Sequence, residues 1–305
     1  MDREAGGRRK KQRLGDKKKR GTKRITNEDE ESTRDCFSSH ASQPSSSSSG
    51  GNEKIEFTRR ELVEIAQDTA ALCASTFLYE NAVENVQVYP YQSRLRIEQN
   101  NKWHPDFEVR ITANDSLDDC WSVLQETHGA KIMCINSASM KRMGGGWQTG
   151  SSAQEECYCR RTNLSLALQE ANRQCPWPLF GKTKGIYTKN ITVFKDANYE
   201  LLKAPFSVDM LSVFSRPRNH IDDDERQELY SNIFECMAHA ARHHSVDTVV
   251  FVPVGCGVFG HDPSWVAFEL CQFLEHVGLG PSVTKLIVSC YTKEENRNAF
   301  ASMFS

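Results

Sequence analysis

Residues 131–156 read KIMCINSASMKRMGGGWQTGSSAQEE, and the order of residue types along this stretch decides the fold. An apolar run over 131–135 has the length of a strand and ends at the polar Asn136. Gly144, Gly145 and Gly146 follow, and three successive glycines let the backbone close against a ligand with bare N–H groups facing it. Gln154, Glu155 and Glu156 then open a helix expected over 153–171, with two acids in the first turn, where the helix dipole favours them. A second junction of the same kind runs from Val252-Pro253-Val254 into Gly255, Cys256, Gly257, Val258, Phe259 and Gly260. Strands that run into glycine loops and then helices place ligands at one edge of a sheet, and N–H groups at such an edge suit phosphate.

Working outward, the remaining pattern alternates helical and extended segments from Glu53 onward, which predicts one α/β domain over 53–305. Thr58 with Glu61 forms a capping-box pattern for a helix over 58–75. Strands are expected over 86–91, 94–97 and 108–112, and Ser116 is the expected cap of a helix running to His128, with Gly129 ending it. Further strands are expected over 191–194, 208–214, 248–254 and 286–290, and further helices over 222–243, 264–277 and from Glu294 onward.

The net charge of −2 over 305 residues hides an asymmetry, because residues 1–24 carry +9. The clusters Arg8-Arg9-Lys10-Lys11 and Lys17-Lys18-Lys19-Arg20 read as a nuclear import signal, with weak nucleic-acid contact as a lesser role. Residues 1–52 are poor in apolar side chains and end in a Ser/Gly run, so they read as a disordered tail and linker. The charged N-terminus has no apolar stretch, and no apolar run is long enough to span a bilayer. Most of the eleven cysteines, among them Cys73, Cys120, Cys134, Cys236, Cys271 and Cys290, lie in apolar segments, where a reduced thiol packs as a small hydrophobe. A soluble, intracellular protein, nuclear or cytoplasmic, is therefore expected. Cys157 and Cys159 form a lone C-x-C without a second pair or nearby histidines, which argues against a structural metal.

Two familiar motifs fit poorly. Gly255–Gly260 matches the dinucleotide fingerprint G-x-G-x-x-G, but the next strand ends Val288-Ser289-Cys290 without the acid that would hold a ribose. A pyrophosphohydrolase helix would need Arg and Glu where Ser151 and Ser152 stand. The pattern GGG-x7-QEE instead resembles the signature of poly(ADP-ribose) glycohydrolases, and its context is similar to the microbial-type catalytic domain. The carrying residues are Asn136-Ser137-Ala138-Ser139 before the glycines, Cys159-Arg160-Arg161-Thr162 after the glutamates, the late Gly255–Phe259 loop and an opening helix over 59–73. Met143, Val254 and His261 depart from that family's usual residues, and 172–198 fits it loosely.

The resemblance implies an α/β, macrodomain-like three-layer fold, with a mixed central sheet between helices and ADP-ribose bound across the sheet edge. It implies hydrolysis of ribose–ribose bonds in poly(ADP-ribose), with no cofactor and no metal. Glu156 would be the general acid and then the base, and Glu155 would fix the ribose. Gly144, Gly145, Gly146, Gly255, Cys256, Gly257 and Val258 would cradle the diphosphate. Phe259 would pack on a ribose or the adenine, and Asn136 would bond the distal ribose, with Gln154 also contacting substrate. Neighbouring helical residues project about 100° apart, so the two glutamates cannot share one role. A helix N-terminus lowers a carboxyl pKa whereas an acid needs it raised, so burial and mutual repulsion have to prevail. The alternatives are a hydrolase of mono-ADP-ribosylated protein and a macrodomain reader that binds ADP-ribose without cutting.

Overall fold

The computed structural model describes residues 56–74, 76–91, 104–291 and 293–304. The basic tail, the Ser/Gly linker and the strand expected over 94–97 lie outside the described residues. The first helix among the described residues, α1 (Arg59–Cys73), starts where the capping box requires: the Thr58 side chain accepts the Glu61 N–H, and Glu61 accepts the Thr58 N–H. Then come α2 (Thr76–Val83), β1 (Val86–Pro90), β2 (Glu108–Thr112), α3 (Ser116–Glu126) and β3 (Ile132–Ala138). The chain continues through α4 (Gln154–Arg161), α5 (Leu164–Gln174), β4 (Thr183–Lys195), β5 (Leu201–Phe214) and α6 (Asp223–His243). It closes with β6 (Thr248–Phe251), α7 (Pro263–His276), β7 (Lys285–Ser289) and α8 (Glu294–Phe304). No helix among the described residues is long and apolar enough to cross a membrane.

The strands form one seven-stranded sheet in the order β1-β4-β5-β3-β6-β7-β2. β1, β4 and β5 pair antiparallel, whereas β5, β3, β6, β7 and β2 pair parallel. Side chains alternate across a strand, and here the alternation sorts them into two cores. Met133, Ile135, Val249, Phe251, Leu286 and Val288 pack on one face with Tyr230, Phe234 and Met237 of α6, Leu270 of α7 and Phe300 of α8. Ile132, Cys134, Val250 and Ile287 pack on the other with Ala66 of α1, Leu117 of α3, Tyr158 of α4 and Leu168 of α5. Burial on both faces explains why these strands read as continuous apolar runs. The expected α/β, macrodomain-like layering of helices on both faces of a mixed sheet is therefore present.

Several local expectations are corrected. β3 does not stop at Ile135, because Asn136, Ser137 and Ala138 go on pairing with Ser212, Val213 and Phe214 of β5. β4 and β5 span 13 and 14 residues, far beyond the apolar cores that announced them. Their hairpin is interrupted by a register shift between Thr188 and Ile191, and Asn190 has φ +55°, so a two-residue alternation is lost there. β6 ends at Phe251 rather than Val254. The cap of α3 is Asp115, whose Oδ1 accepts the Leu117 N–H at 2.9 Å, while Ser116 is buried against the Tyr158 hydroxyl.

The single helix expected over 153–171 is two. Thr162 is extended and bridges to Val193 of β4, and its hydroxyl bonds the Tyr158 carbonyl (2.8 Å) and the Leu164 N–H (3.0 Å). Buried Asn163 accepts the Thr192 N–H (2.8 Å) and donates to the Leu78 carbonyl (2.9 Å). Thr and Asn side chains compete in this way with helical hydrogen bonds. Asn163→Ala is expected to cost about 3 kcal/mol in urea unfolding, since two buried backbone groups lose partners worth roughly 1–3 kcal/mol each. A loss below about 1 kcal/mol would show that water replaces both bonds.

Candidate active site

The parallel strands end at a common edge, and the two glycine loops leave it from the neighbouring strands β3 and β6. The first turn of α4 is fastened to β3 by Gln154. Its Oε1 accepts the Ser137 N–H at 2.8 Å, and its Nε2 donates to the Ile135 carbonyl at 3.0 Å and the Tyr158 hydroxyl at 2.6 Å. With both ends of its amide engaged, Gln154 is a strut between helix and strand. The substrate contact expected of it would fall to the second lone pair of Oε1.

That docking brings the two glutamates under the loop from β3. Glu155 is 2 % exposed, and its Oε2 accepts the Ser139 N–H at 2.8 Å. Glu156 is 8 % exposed, and its Oε1 accepts the Gly146 N–H at 2.9 Å. Gly145 lies across both, in the left-handed region at φ +60°. A Cβ there would overlap Glu156 Oε1 and stand 3.3 Å from Glu155 Oε2, so only glycine fits the position. Asn136 is fully buried beneath them and donates to Ser212 Oγ at 3.0 Å.

Burial pushes the Glu155 carboxyl up to about 8, and repulsion from Glu156 adds to it, against opposing pulls from the Ser139 N–H, the Asn136 side chain and the Gly144 N–H. At Glu155, desolvation therefore prevails over the helix dipole. Glu155 Oε1 and Asn136 Oδ1 are both buried acceptors without a hydrogen-bond partner. A protonated Glu155 turns one of these two acceptors into a donor.

Arg160 ties the loop down from behind. Its side chain is fully buried; Nη2 donates to the Trp147 and Ser151 carbonyls at 2.6 Å each, and Nε donates to Leu62 of α1 at 3.1 Å. Just before the first of those carbonyls, Gly146 O accepts the N–H groups of Thr149 and Ser151, which fixes the residue whose own N–H reaches Glu156. The segment over 172–182 braces the same rim, with Trp177 Nε1 donating to Ser139 O and the Leu179 N–H to Met140 O, both at 2.9 Å. Ser139, Tyr158, Arg160 and Trp177 were not singled out from the sequence as site residues. Tyr158 stands one helical turn after Gln154, a spacing that could have drawn attention to it.

The second loop is shaped by Gly255 at φ +81°, where a Cβ would stand 2.5 Å from the Tyr230 hydroxyl and 2.9 Å from Ser215 Oγ. Cys256 is buried, and burial pushes its thiol up to about 12, which agrees with a packing role and not a nucleophile's. Lys293 Nζ donates to the Cys256 carbonyl at 3.0 Å. Gly257 is exposed, Val258 is 89 % exposed, and Phe259 is half-buried, its carbonyl taking the Arg218 N–H at 2.8 Å. His261 donates from Nε2 to the Arg216 carbonyl at 2.7 Å, and burial lowers its pKa, so it sits beneath the loop as a neutral ring. Among the described residues no group of three His, Cys, Asp or Glu is placed to hold a metal ion.

The motif order and this geometry agree with one domain family. Residues 49–196 match the model of the microbial-type PARG catalytic domain. The resemblance read from the glycines and glutamates is therefore supported over that stretch. The fold is similar to the poly(ADP-ribose) glycohydrolase of Thermomonospora curvata at TM-score 0.68 and 23 % identity, covering 80 % of this chain and 100 % of that one. A second structure of that protein, bound to the inhibitor ADP-HPD, gives TM-score 0.68 at 24 % identity, again over 80 % and 100 %. A Deinococcus radiodurans poly(ADP-ribose) glycohydrolase mutant in complex with ADP-ribose gives TM-score 0.60 at 20 % identity, over 74 % of this chain and 96 % of that one. At such identities the likeness establishes the fold. A search of curated protein sequences found no match.

The raised Glu155 carboxyl has a consequence for stability. An unfolded Glu155 ionises near 4.5, whereas the folded one keeps its proton to about 8. The stability this group contributes is complete below pH 4.5 and is lost as pH rises through 8. Glu155→Gln, which mimics the neutral acid, should therefore gain melting temperature relative to the parent between pH 5 and pH 9. Equal differences at both pH values would show that Glu155 ionises normally in the fold.

Proposed function

We propose that this protein hydrolyses the ribose–ribose bonds of poly(ADP-ribose) and releases ADP-ribose, reversing protein ADP-ribosylation. The observation that carries the reading is the pair of buried, adjacent carboxylates on α4, each held by an N–H of the loop that leaves β3. Glycosidic cleavage passes through an oxocarbenium-like state, in which the leaving oxygen needs a proton and the cation needs water. Glu156, the more exposed of the two, gives its proton to the departing ribose oxygen as the C–O bond breaks. Its carboxylate then takes a proton from the water that adds to the anomeric carbon. Glu155 bonds the hydroxyls of the same ribose and fixes its position, and the buried Asn136 beneath it supports Glu155. Gly144–Gly146 and Gly255–Phe259 close on the diphosphate from either side, through backbone N–H groups.

A reader that only binds ADP-ribose is the second reading. The buried acid pair favours catalysis, since binding alone does not call for a carboxylate at Glu156. Purified protein incubated with poly(ADP-ribosyl)ated protein should release free ADP-ribose. Glu156→Gln should lower turnover by about 1,000-fold, within the range for loss of a general acid, while ADP-ribose affinity by calorimetry stays close to the parent's. Gly145→Ala should cost about 100-fold or more by displacing both carboxylates. Turnover in Glu156→Gln equal to the parent's would rule out the assigned acid, and ADP-ribose binding without release by the parent would make the protein a reader.

We further propose that residues 1–52 are an appended tail and linker, that 53–305 are the catalytic domain, and that the basic clusters direct nuclear import, which would place the activity in the DNA damage response. The +9 charge of residues 1–24 supports this. Deleting 1–24 should leave turnover unchanged and move a fluorescent fusion out of the nucleus. A large fall in turnover would assign the tail to the reaction.

A further inference from the structure

Two cations on the first glycine loop take no part in the chemistry above. Lys141 and Arg142 are both exposed, and neither side chain has an ion-pair or hydrogen-bond partner among the described residues. Other cations near the edge are engaged: Arg216 with Glu225 at 3.3 Å, Arg218 with Asp223 at 2.7 Å, and Lys293 with the Cys256 carbonyl.

The backbone that carries the pair is fixed. Ser139 Oγ accepts the N–H groups of both Lys141 and Arg142 at 3.3 Å, and the Arg142 carbonyl accepts the Gly145 N–H at 3.0 Å. The turn therefore satisfies its own polar groups and leaves both side chains projecting from it. It is bracketed by Ser139, whose N–H holds Glu155, and by Gly145 and Gly146, which lie against Glu156. The pair thus stands at the lip of the cleavage site.

We propose that Lys141 and Arg142 form a subsite for the diphosphate of the ADP-ribose unit on the leaving side of the scissile bond, so that the polymer is favoured over a single ADP-ribosyl group on protein. The proposal rests on the glycohydrolase reading of the site. In the polymer the leaving oxygen is the 2′-oxygen of an adenosine ribose, whose own 5′ carbon begins the next diphosphate. That diphosphate lies within one sugar ring of Glu156, in reach of a lysine or arginine side chain. A protein side chain as leaving group brings no such charge.

Charge balance points the same way. Residues 53–305 hold 25 Lys and Arg against 32 Asp and Glu, a net −7. A body of that sign repels a polyanion at long range, and local cations at the mouth offset the repulsion and raise the encounter rate.

The test compares the full-length parent with a Lys141→Ser, Arg142→Asn double variant on poly(ADP-ribosyl)ated protein at about 20 and 200 mM salt, concentrations over which phosphate contacts weaken strongly. KM for polymer should rise about 30-fold at the lower salt and approach the parent's at the higher, while kcat stays within about twofold, as expected for lost binding shared by ground and transition states. The slope of log KM against log salt should flatten by about 1.4 for two phosphate contacts on a single strand. Calorimetric affinity for free ADP-ribose should not change, which also reports that the variant is folded, and Lys141→Arg should behave as the parent. An unchanged KM and salt slope would overturn the proposal. So would an equal loss of ADP-ribose affinity, which would place the cations on the bound unit's own diphosphate. A parent that cuts no polymer would instead overturn the glycohydrolase reading on which the subsite rests.

Discussion

The contact between the first turn of α4 and the end of β3 sets the geometry of everything at the edge. Gln154 uses its side-chain amide as a neighbouring strand would use its backbone, accepting from Ser137 and donating to Ile135. This fixes the height and rotation of the helix on the sheet, and Glu155 and Glu156 have no freedom left to choose where they point. Their N–H partners come from the loop that the same strand releases. Strand, loop and helix form one closed circuit of hydrogen bonds, and a shift in any member displaces both carboxylates.

Enclosure of that circuit produces its electrostatics. Two carboxylates next to each other at a helix start would ionise easily in water. Here Arg160 closes the loop over them from below, the rim is braced by Trp177, and Asn136 fills the floor. With water removed, burial is the largest influence on Glu155 and holds its proton into the neutral range. The buried cation of Arg160 is bonded to three carbonyls, so it organises backbone without neutralising either acid directly.

Much of this was legible in the sequence because it depends on local residue type. The capping box at Thr58, the strand–glycine–helix order and the apolar runs of β3, β6 and β7 each follow from short-range rules. What was not legible depends on partners remote in sequence. Thr162 and Asn163 can compete locally with helical hydrogen bonds, but the strand β4 arriving at Val193 and Thr192 decides that they do. Asp115 and Ser116 are equally good caps on paper, and the buried Tyr158 hydroxyl draws Ser116 away. The Glu pair and the glycines were found by pattern, whereas the strut role of Gln154 and the loop tie of Arg160 emerge only when β3 and α1 are in place.

The bonds that hold Gln154, Glu155 and Glu156 to strand and loop join residues 10 to 19 positions apart. The second glycine loop joins them through the pairing of β3 with β6, more than 100 residues later in the chain. Closing the short loops costs little chain entropy, and the long closure costs more. The two halves of the site therefore draw on different reserves of order. The half that holds the carboxylates can form early and persist through local opening, while the half that embraces the diphosphate follows the stability of β6, β7 and their helices. A loosening of that distant region would weaken the grip on ligand first and leave the acid pair assembled.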